Sequence, residues 1–88
     1  MIIIKKQAAK EIKEAVAWYE SKLEGLGARF YSNLFRSMNI LNDFPELYQI
    51  VDGDIRKLKL SKFPYCIYYN IRNNGDVLIS KCRHTKRL

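Results

Sequence analysis

Cationic side chains in strand-like runs are the residues of this sequence best equipped for chemistry. Arg56, Lys57 and Lys59 lie in one run, Lys81 and Arg83 in another, and His84, Lys86 and Arg87 follow. Fixed on a sheet, such groups can hold a phosphodiester and stabilise charge developing on it, with His84 moving a proton. For each of them the alternative is a solvated or partner-covered basic face. Arg56 stands apart, because alternation from Ile55 to Leu60 groups it with Leu58 and Leu60 and puts Lys57 and Lys59 on the other face. Its head group therefore requires an acidic or main-chain partner.

The aromatic residues Trp18, Tyr19, Tyr65, Tyr68 and Tyr69 could stack on bases, but at helix and strand periods they point first to a core. Tyr68 alternates away from Ile67, Tyr69 and Ile71, so it is expected on the sheet face opposite any covering helices. Other chemistries have little support. A triad or metal-dependent hydrolase needs clustered acids or histidines, and the chain has one histidine. Cys66 and Cys82 lie far apart without a CxxC pair, which leaves too few ligands for zinc. They read as two buried, reduced thiols, with a disulfide as the alternative. No glycine-rich phosphate loop is present and no cofactor or metal is expected.

Charge is unevenly spread. Sixteen Lys and Arg oppose nine Asp and Glu, for a net +7. From Asp52 onward nine basic residues face three acids, and nine minus three puts +6 in that part. Such a field attracts phosphate backbones or an acidic protein partner, and charge alone does not choose between them.

The elements that must position these residues follow from periodicity. Ile2, Ile3 and Ile4 predict a short edge or near-edge strand. Ala8, Ile12, Ala15, Val16, Tyr19 and Leu23 recur at three- and four-residue spacing and predict an amphipathic helix from about Gln7, without a good N-cap. Gly25-Leu26-Gly27 breaks it. Phe30, Leu34, Met38 and Leu41 form the stripe of a second helix ended by Pro45; Tyr31, Phe35 and Ile40 widen that stripe, so this helix is expected to be covered on more than one side. Strand signals then continue: Leu47 to Val51, a turn at Asp52-Gly53-Asp54, Ile55 to Leu60, Tyr65 to Ile71, a hairpin at Asn73-Asn74-Gly75-Asp76, and Val77 to Arg83. The sum is an α+β fold: an N-terminal strand, an antiparallel two-helix hairpin, and a curved, mostly antiparallel sheet of three to four C-terminal strands. Residues 1–88 are expected to form a single domain. The first apolar run is too short for a signal peptide and no segment approaches a membrane span, so the cytoplasm is the expected location.

Several short motifs in this order carry a family resemblance. Ala9…Glu11…Ala15, Trp18-Tyr19-Glu20, Gly25-Leu26-Gly27 and Phe30 are followed by Phe44-Pro45, Ile55-Arg56-Lys57, Phe63-Pro64-Tyr65 and Ile67-Tyr68-Tyr69, then a strand ending in His84. Together they resemble the RelE/ParE superfamily, toxins of bacterial type II toxin–antitoxin and plasmid stabilisation systems, over nearly the whole chain. The resemblance implies a toxin wrapped by a cognate antitoxin bearing an acidic or amphipathic helical segment. It also implies one of two activities: contact inhibition of DNA gyrase, as in ParE-like members, or ribosome-dependent messenger RNA cleavage, as in RelE-like members. The RelE-like site uses two lysines on a middle strand, an arginine on the next, and an arginine and a tyrosine near the C-terminus. Lys57 and Lys59 match the lysines and Arg83 the C-terminal arginine, whereas Cys66 stands where the middle arginine is expected and the terminal tyrosine is missing. Losing one transition-state cation typically costs roughly 3–4 kcal/mol by analogy with oxyanion-hole donors. His84 is the candidate substitute as acid or base. The Trp18-Tyr19-Glu20 and Phe63-Pro64-Tyr65 signatures favour the ParE-like branch. A third reading is a non-toxic basic module that binds nucleic acid; Arg56, Lys57, Lys59, Tyr68, Lys81, Arg83, Lys86 and Arg87 are the expected contacts with the target or with nucleic acid.

Overall fold

The computed structural model describes residues 1–86. They form β1 (Ile2–Ile4), α1 (Lys6–Lys22), α2 (Leu26–Asp43), β2 (Ile50–Asp52), β3 (Ile55–Lys59), β4 (Tyr65–Ile71) and β5 (Val77–His84). The strands make one open sheet in the order β1-β5-β4-β3-β2. The architecture is α+β, as the periodicity predicts, with a mixed rather than purely antiparallel sheet. Consecutive strands β2 to β5 pair antiparallel through short turns, whereas β1 pairs parallel with β5 at the far edge. A parallel neighbour needs a long connection, and here it runs from β1 through both helices to β2 at the opposite edge and back across the sheet to β5.

The helical hairpin covers one sheet face. Ala8, Ile12, Ala15 and Tyr19 of α1 and Phe30, Leu34, Met38 and Leu41 of α2 are buried against Leu58, Leu60, Tyr65, Ile67, Tyr69, Val77, Ile79 and Cys82. One end of this core is aromatic: the Phe30 ring lies 5.2 Å from Tyr19, 5.2 Å from Phe63 and 5.0 Å from Tyr65. α1 has no side-chain cap, in agreement with its sequence; instead Lys5 N–H donates to the Ile79 carbonyl at 2.9 Å, tying the helix start to the sheet.

The glycine-containing turn is tighter than the sequence suggests, since α2 already begins at Leu26 and Gly27 lies in its first turn. Glu20 reaches across the turn and accepts hydrogen bonds from the N–H groups of Gly25 and Gly27, both at 3.0 Å. A carboxylate thereby satisfies orphan donors at the positive end of α2. The widened apolar stripe of α2 is not covered on a second side: Tyr31, Phe35 and Ile40 are exposed, Phe35 by 51%. Their burial requires something other than this chain.

Pairing between β4 and β5 slips by one residue at Tyr68/Tyr69, because Tyr68 is opposite Lys81 while Tyr69 is opposite Ile79. Ser80 is the extra residue, and its hydroxyl donates to the Tyr68 carbonyl at 3.2 Å. This β-bulge changes the phase of β5. Val77 and Ile79 face the core before it, and Cys82 faces the core after it.

Candidate functional site

The bulge decides the composition of the open sheet face. Residues directly opposite in an antiparallel pair share a face. One row across the three strands β3, β4 and β5 is therefore Lys57, Tyr68, Lys81, and the next is Lys59, Cys66, Arg83. With strands about 4.8 Å apart, the two ends of each row begin roughly 10 Å from each other. Tyr68 thus projects from the open face, as its alternation predicts, between two lysines, and the Lys57 Nζ lies 5.9 Å from its ring centroid. Among the described residues the ion pairs are Met1 with Asp76 and Arg83 with Glu11. Lys57, Lys59 and Lys81 accordingly have no carboxylate partner within 4 Å among the described residues, and a sheet surface of this kind presents both positive charge and a stacking ring.

Arg83 is held differently. Its Nε–H donates to Glu11 Oε2 at 2.8 Å, while Glu11 Oε1 accepts the Cys82 backbone N–H at 2.9 Å. β1 pairs with β5 only as far as Ile79, so beyond that point β5 is an edge strand, and the α1 carboxylate caps one of its donors. The Glu11 carboxyl is pulled below the usual carboxylate range: burial acts to raise it, but the Cys82 N–H, the Arg83 guanidinium and Gln7 together outweigh burial. A depressed carboxyl contributes stability above its ordinary value of 4.5, and that contribution is lost as pH falls through the folded-state value. Glu11→Ala also strands the Cys82 donor, so it should cost about 1–3 kcal/mol at pH 7. Urea unfolding at pH 7 and pH 3 checks this, with the gap to wild type expected to shrink in acid; an equal gap at both pH values contradicts it.

The remaining predicted cations do not join the lysines. His84 is opposite Tyr65 and turns to the helix side, where its ring meets Tyr65 edge-on at 5.2 Å and its Nδ1 accepts the Lys86 N–H at 3.1 Å. It lines a groove between α1 and the end of β5 with Trp18, Glu14 and the Glu11–Arg83 pair, and its ring lies on the opposite side of the sheet from Lys57 and Lys59. Lys86 is exposed in the turn after β5. Arg87 lies outside the described residues. Arg56 has the main-chain partners that its position demands: its Nη1 donates to the carbonyls of Tyr48 at 2.6 Å and Glu46 at 3.3 Å. With the Tyr69 hydroxyl donating to the Pro45 carbonyl at 2.8 Å, it pins the chain that leads into β2.

Both cysteines are free and buried. Cys66 is opposite Arg83 on the open face while Cys82 belongs to the core, and burial, with Glu11 and Cys66 adding to it, pushes the Cys82 thiol up to about 12. Its neutral form is inert at physiological pH. Among the described residues no group of three or more His, Cys, Asp or Glu is placed to hold a metal ion, and no helix is long and apolar enough to cross a membrane.

Glu11 is the residue that sequence reasoning passed over as a functional group. A signal existed, because Glu11 adjoins Ala8, Ile12 and Ala15 on the buried side of α1, where a carboxylate needs donors. Its partners sit 71 and 72 residues away in sequence, beyond any local pattern.

The fold is shared with chains of solved toxin–antitoxin structures. It is similar to a chain of the chromosomal ParDE toxin–antitoxin system from P. aeruginosa, with a TM-score of 0.82 at 12% identity over 97% of this chain and 95% of that one. It is also similar to a chain of the intact E. coli RelBE toxin–antitoxin complex, with a TM-score of 0.74 at 16% identity over 99% and 98% of the two chains. The isolated E. coli RelE toxin gives 0.73 at 17% identity over 100% of this chain and 86% of that one. At such identities the likeness shows the fold alone. No curated protein sequence matches the chain significantly. The family model described as the ParE toxin of the type II toxin–antitoxin system parDE does match, over residues 2–88, and the chain therefore belongs to that family of the RelE/ParE superfamily.

Proposed function

We propose that this toxin arrests growth in the cytoplasm by protein–protein contact, with DNA gyrase as its target, and that residues 1–88 act as one toxin domain. The observation that carries the choice is the content of the open face. Lys57, Lys59, Lys81 and Tyr68 supply charge and a ring for binding, but Cys66 fills the centre of the second row, Arg83 is paired with Glu11, and His84 is on the other side of the sheet. RNA cleavage also needs cations free to stabilise charge on the scissile phosphate, and in the second row Cys66 supplies none while Glu11 engages Arg83. Binding requires only complementary charge and shape.

A cognate antitoxin would silence the toxin by covering what the chain leaves exposed. Tyr31 and Phe35 of α2 face Met1, Ile2 and Ile4 across a shallow apolar groove, which suits one face of an amphipathic helix. An acidic stretch of the same partner would neutralise the lysine-bearing sheet. Two of the structures that share this fold, the ParDE system and the RelBE complex, are toxin–antitoxin assemblies, which supports the same reading.

Purified toxin added to a gyrase supercoiling reaction tests the target. Inhibition is expected, and Lys57→Ala with Lys59→Ala should raise the half-inhibitory concentration by about tenfold or more, since complementary charges govern encounter. Normal supercoiling together with cleaved messages in translation extracts would overturn the gyrase reading in favour of a ribosome-dependent ribonuclease. Salt-sensitive nucleic-acid binding with no growth arrest would leave only a basic binding module.

A further inference from the structure

We propose that a pocket between α2 and the β3–β4 turn, on the helix side of the sheet and apart from the lysine face, binds a phosphate group. Its volume is about 400 Å³, and Arg29, Ser32, Asn33, Arg36, Lys62 and Phe63 line it. Residues 29, 32, 33 and 36 recur at the spacing that puts them on one face of α2, and Lys62 closes over them from the turn. No carboxylate belongs to this lining, and Arg29, Arg36 and Lys62 take no part in the ion pairs found among the described residues. Three uncompensated cations around one concavity are a field that selects an anion.

The polar groups of the wall say which kind of anion. Asn33 is 7% exposed; its Nδ2 donates to the Ser61 hydroxyl at 3.1 Å, and its Oδ1 is buried without a partner. Native interiors seldom leave such an atom unsatisfied. A carboxamide is nearly symmetric in shape, so a half-turn lets Oδ1 accept from the Ser61 hydroxyl, but it leaves Nδ2 at the same buried position, out of a ligand's reach. The lining itself offers two guanidiniums, an ammonium and the Ser32 hydroxyl. A donor-rich, cationic wall matches a ligand made of acceptor oxygens and negative charge, and phosphate has both. The space exceeds a lone phosphate, leaving room for what the phosphate is attached to. Free phosphate and the backbone of a nucleic-acid strand are the two sources of that chemistry.

Nitrogen–proton correlation spectra of the full chain, titrated with inorganic phosphate and separately with a short single-stranded RNA, test the proposal. Saturable shifts are expected at the Nε–H groups of Arg29 and Arg36. Arg29→Gln with Arg36→Gln, both at exposed positions that the core does not use, should weaken that binding by about tenfold or more, the effect of losing charge-assisted hydrogen bonds. Lys57→Ala with Lys59→Ala should leave the phosphate titration unchanged. A response to inorganic phosphate supports the site with free phosphate as a source, and a response to RNA alone supports it with the strand as the source. Unsaturable shifts spread over all surface cations, or binding that Arg29→Gln with Arg36→Gln does not alter for either probe, would overturn it.

Discussion

Phe30→Ala should lower the unfolding free energy by about 3–5 kcal/mol, the usual range for removing a buried phenyl ring from a packed core. The ring is fully buried and is the shared neighbour of Tyr19, Phe63 and Tyr65, which come from α1, the β3–β4 turn and β4. Deleting it therefore opens a cavity between three separate parts of the chain, which cannot all close inward at once. Domains of this kind are stable by only about 5–15 kcal/mol, so the change consumes a large fraction of the total. Urea denaturation checks it by a shift of the midpoint at unchanged slope. Phe35→Ala on the same helix is the contrast. Its ring is half exposed, so the free toxin should change by no more than about 0.5 kcal/mol. A loss like that of Phe30→Ala would show that α2 is packed differently.

Gly27→Ala should destabilise by about 1–2 kcal/mol, although helix propensity alone favours alanine by about 1 kcal/mol. Two effects of opposite sign meet at this position. A Cβ on Gly27 would lie 2.7 Å from the Val16 carbonyl oxygen and 3.0 Å from Glu20 Oε1. The first is a backbone atom in the middle of α1 and cannot swing aside, so α1 and α2 must separate where they cross. Overpacking of this kind typically costs about 1–3 kcal/mol. The displaced Glu20 carboxylate would also loosen its hold on the Gly25 and Gly27 N–H groups, which adds to the loss. Thermal unfolding followed by circular dichroism measures the sign: a raised midpoint would mean that propensity wins and that the helices are not in close contact. Gly25 matters for another reason. Nothing lies within 4 Å of a Cβ there, but its φ of +85° is a conformation that other residues rarely adopt.

Much of the fold is legible along the chain because its elements are local. The 3.6-residue period of Ala8, Ile12, Ala15 and Tyr19 and the alternation of Leu58 and Leu60 or of Ile67 and Tyr69 each report one buried face, and these residues are buried in the structure. Arg56 is legible for the same reason: a guanidinium on an apolar face must find acceptors, and it finds the Tyr48 and Glu46 carbonyls. The exposure of Tyr31, Phe35 and Ile40 was not legible, since a sequence shows that a helix is apolar but not which chain covers it.

The sequence by itself determined the helices, the strands and an excess of positive charge in its second part. Only the tertiary structure decided where that charge is displayed. Uninterrupted alternation from Val77 and Ile79 would carry Lys81 and Arg83 into the core; the bulge at Ser80 takes both out of it and buries Cys82, leaving Lys81 on the open face and Arg83 at the sheet edge with Glu11. Pairing of Arg83 with Glu11 and the parallel docking of β1 beside β5 were likewise settled by contacts between distant segments. The physical reason is common to all three: side-chain period is a property of neighbours in sequence, whereas register and edge capping depend on hydrogen bonds between residues that the chain brings together only on folding.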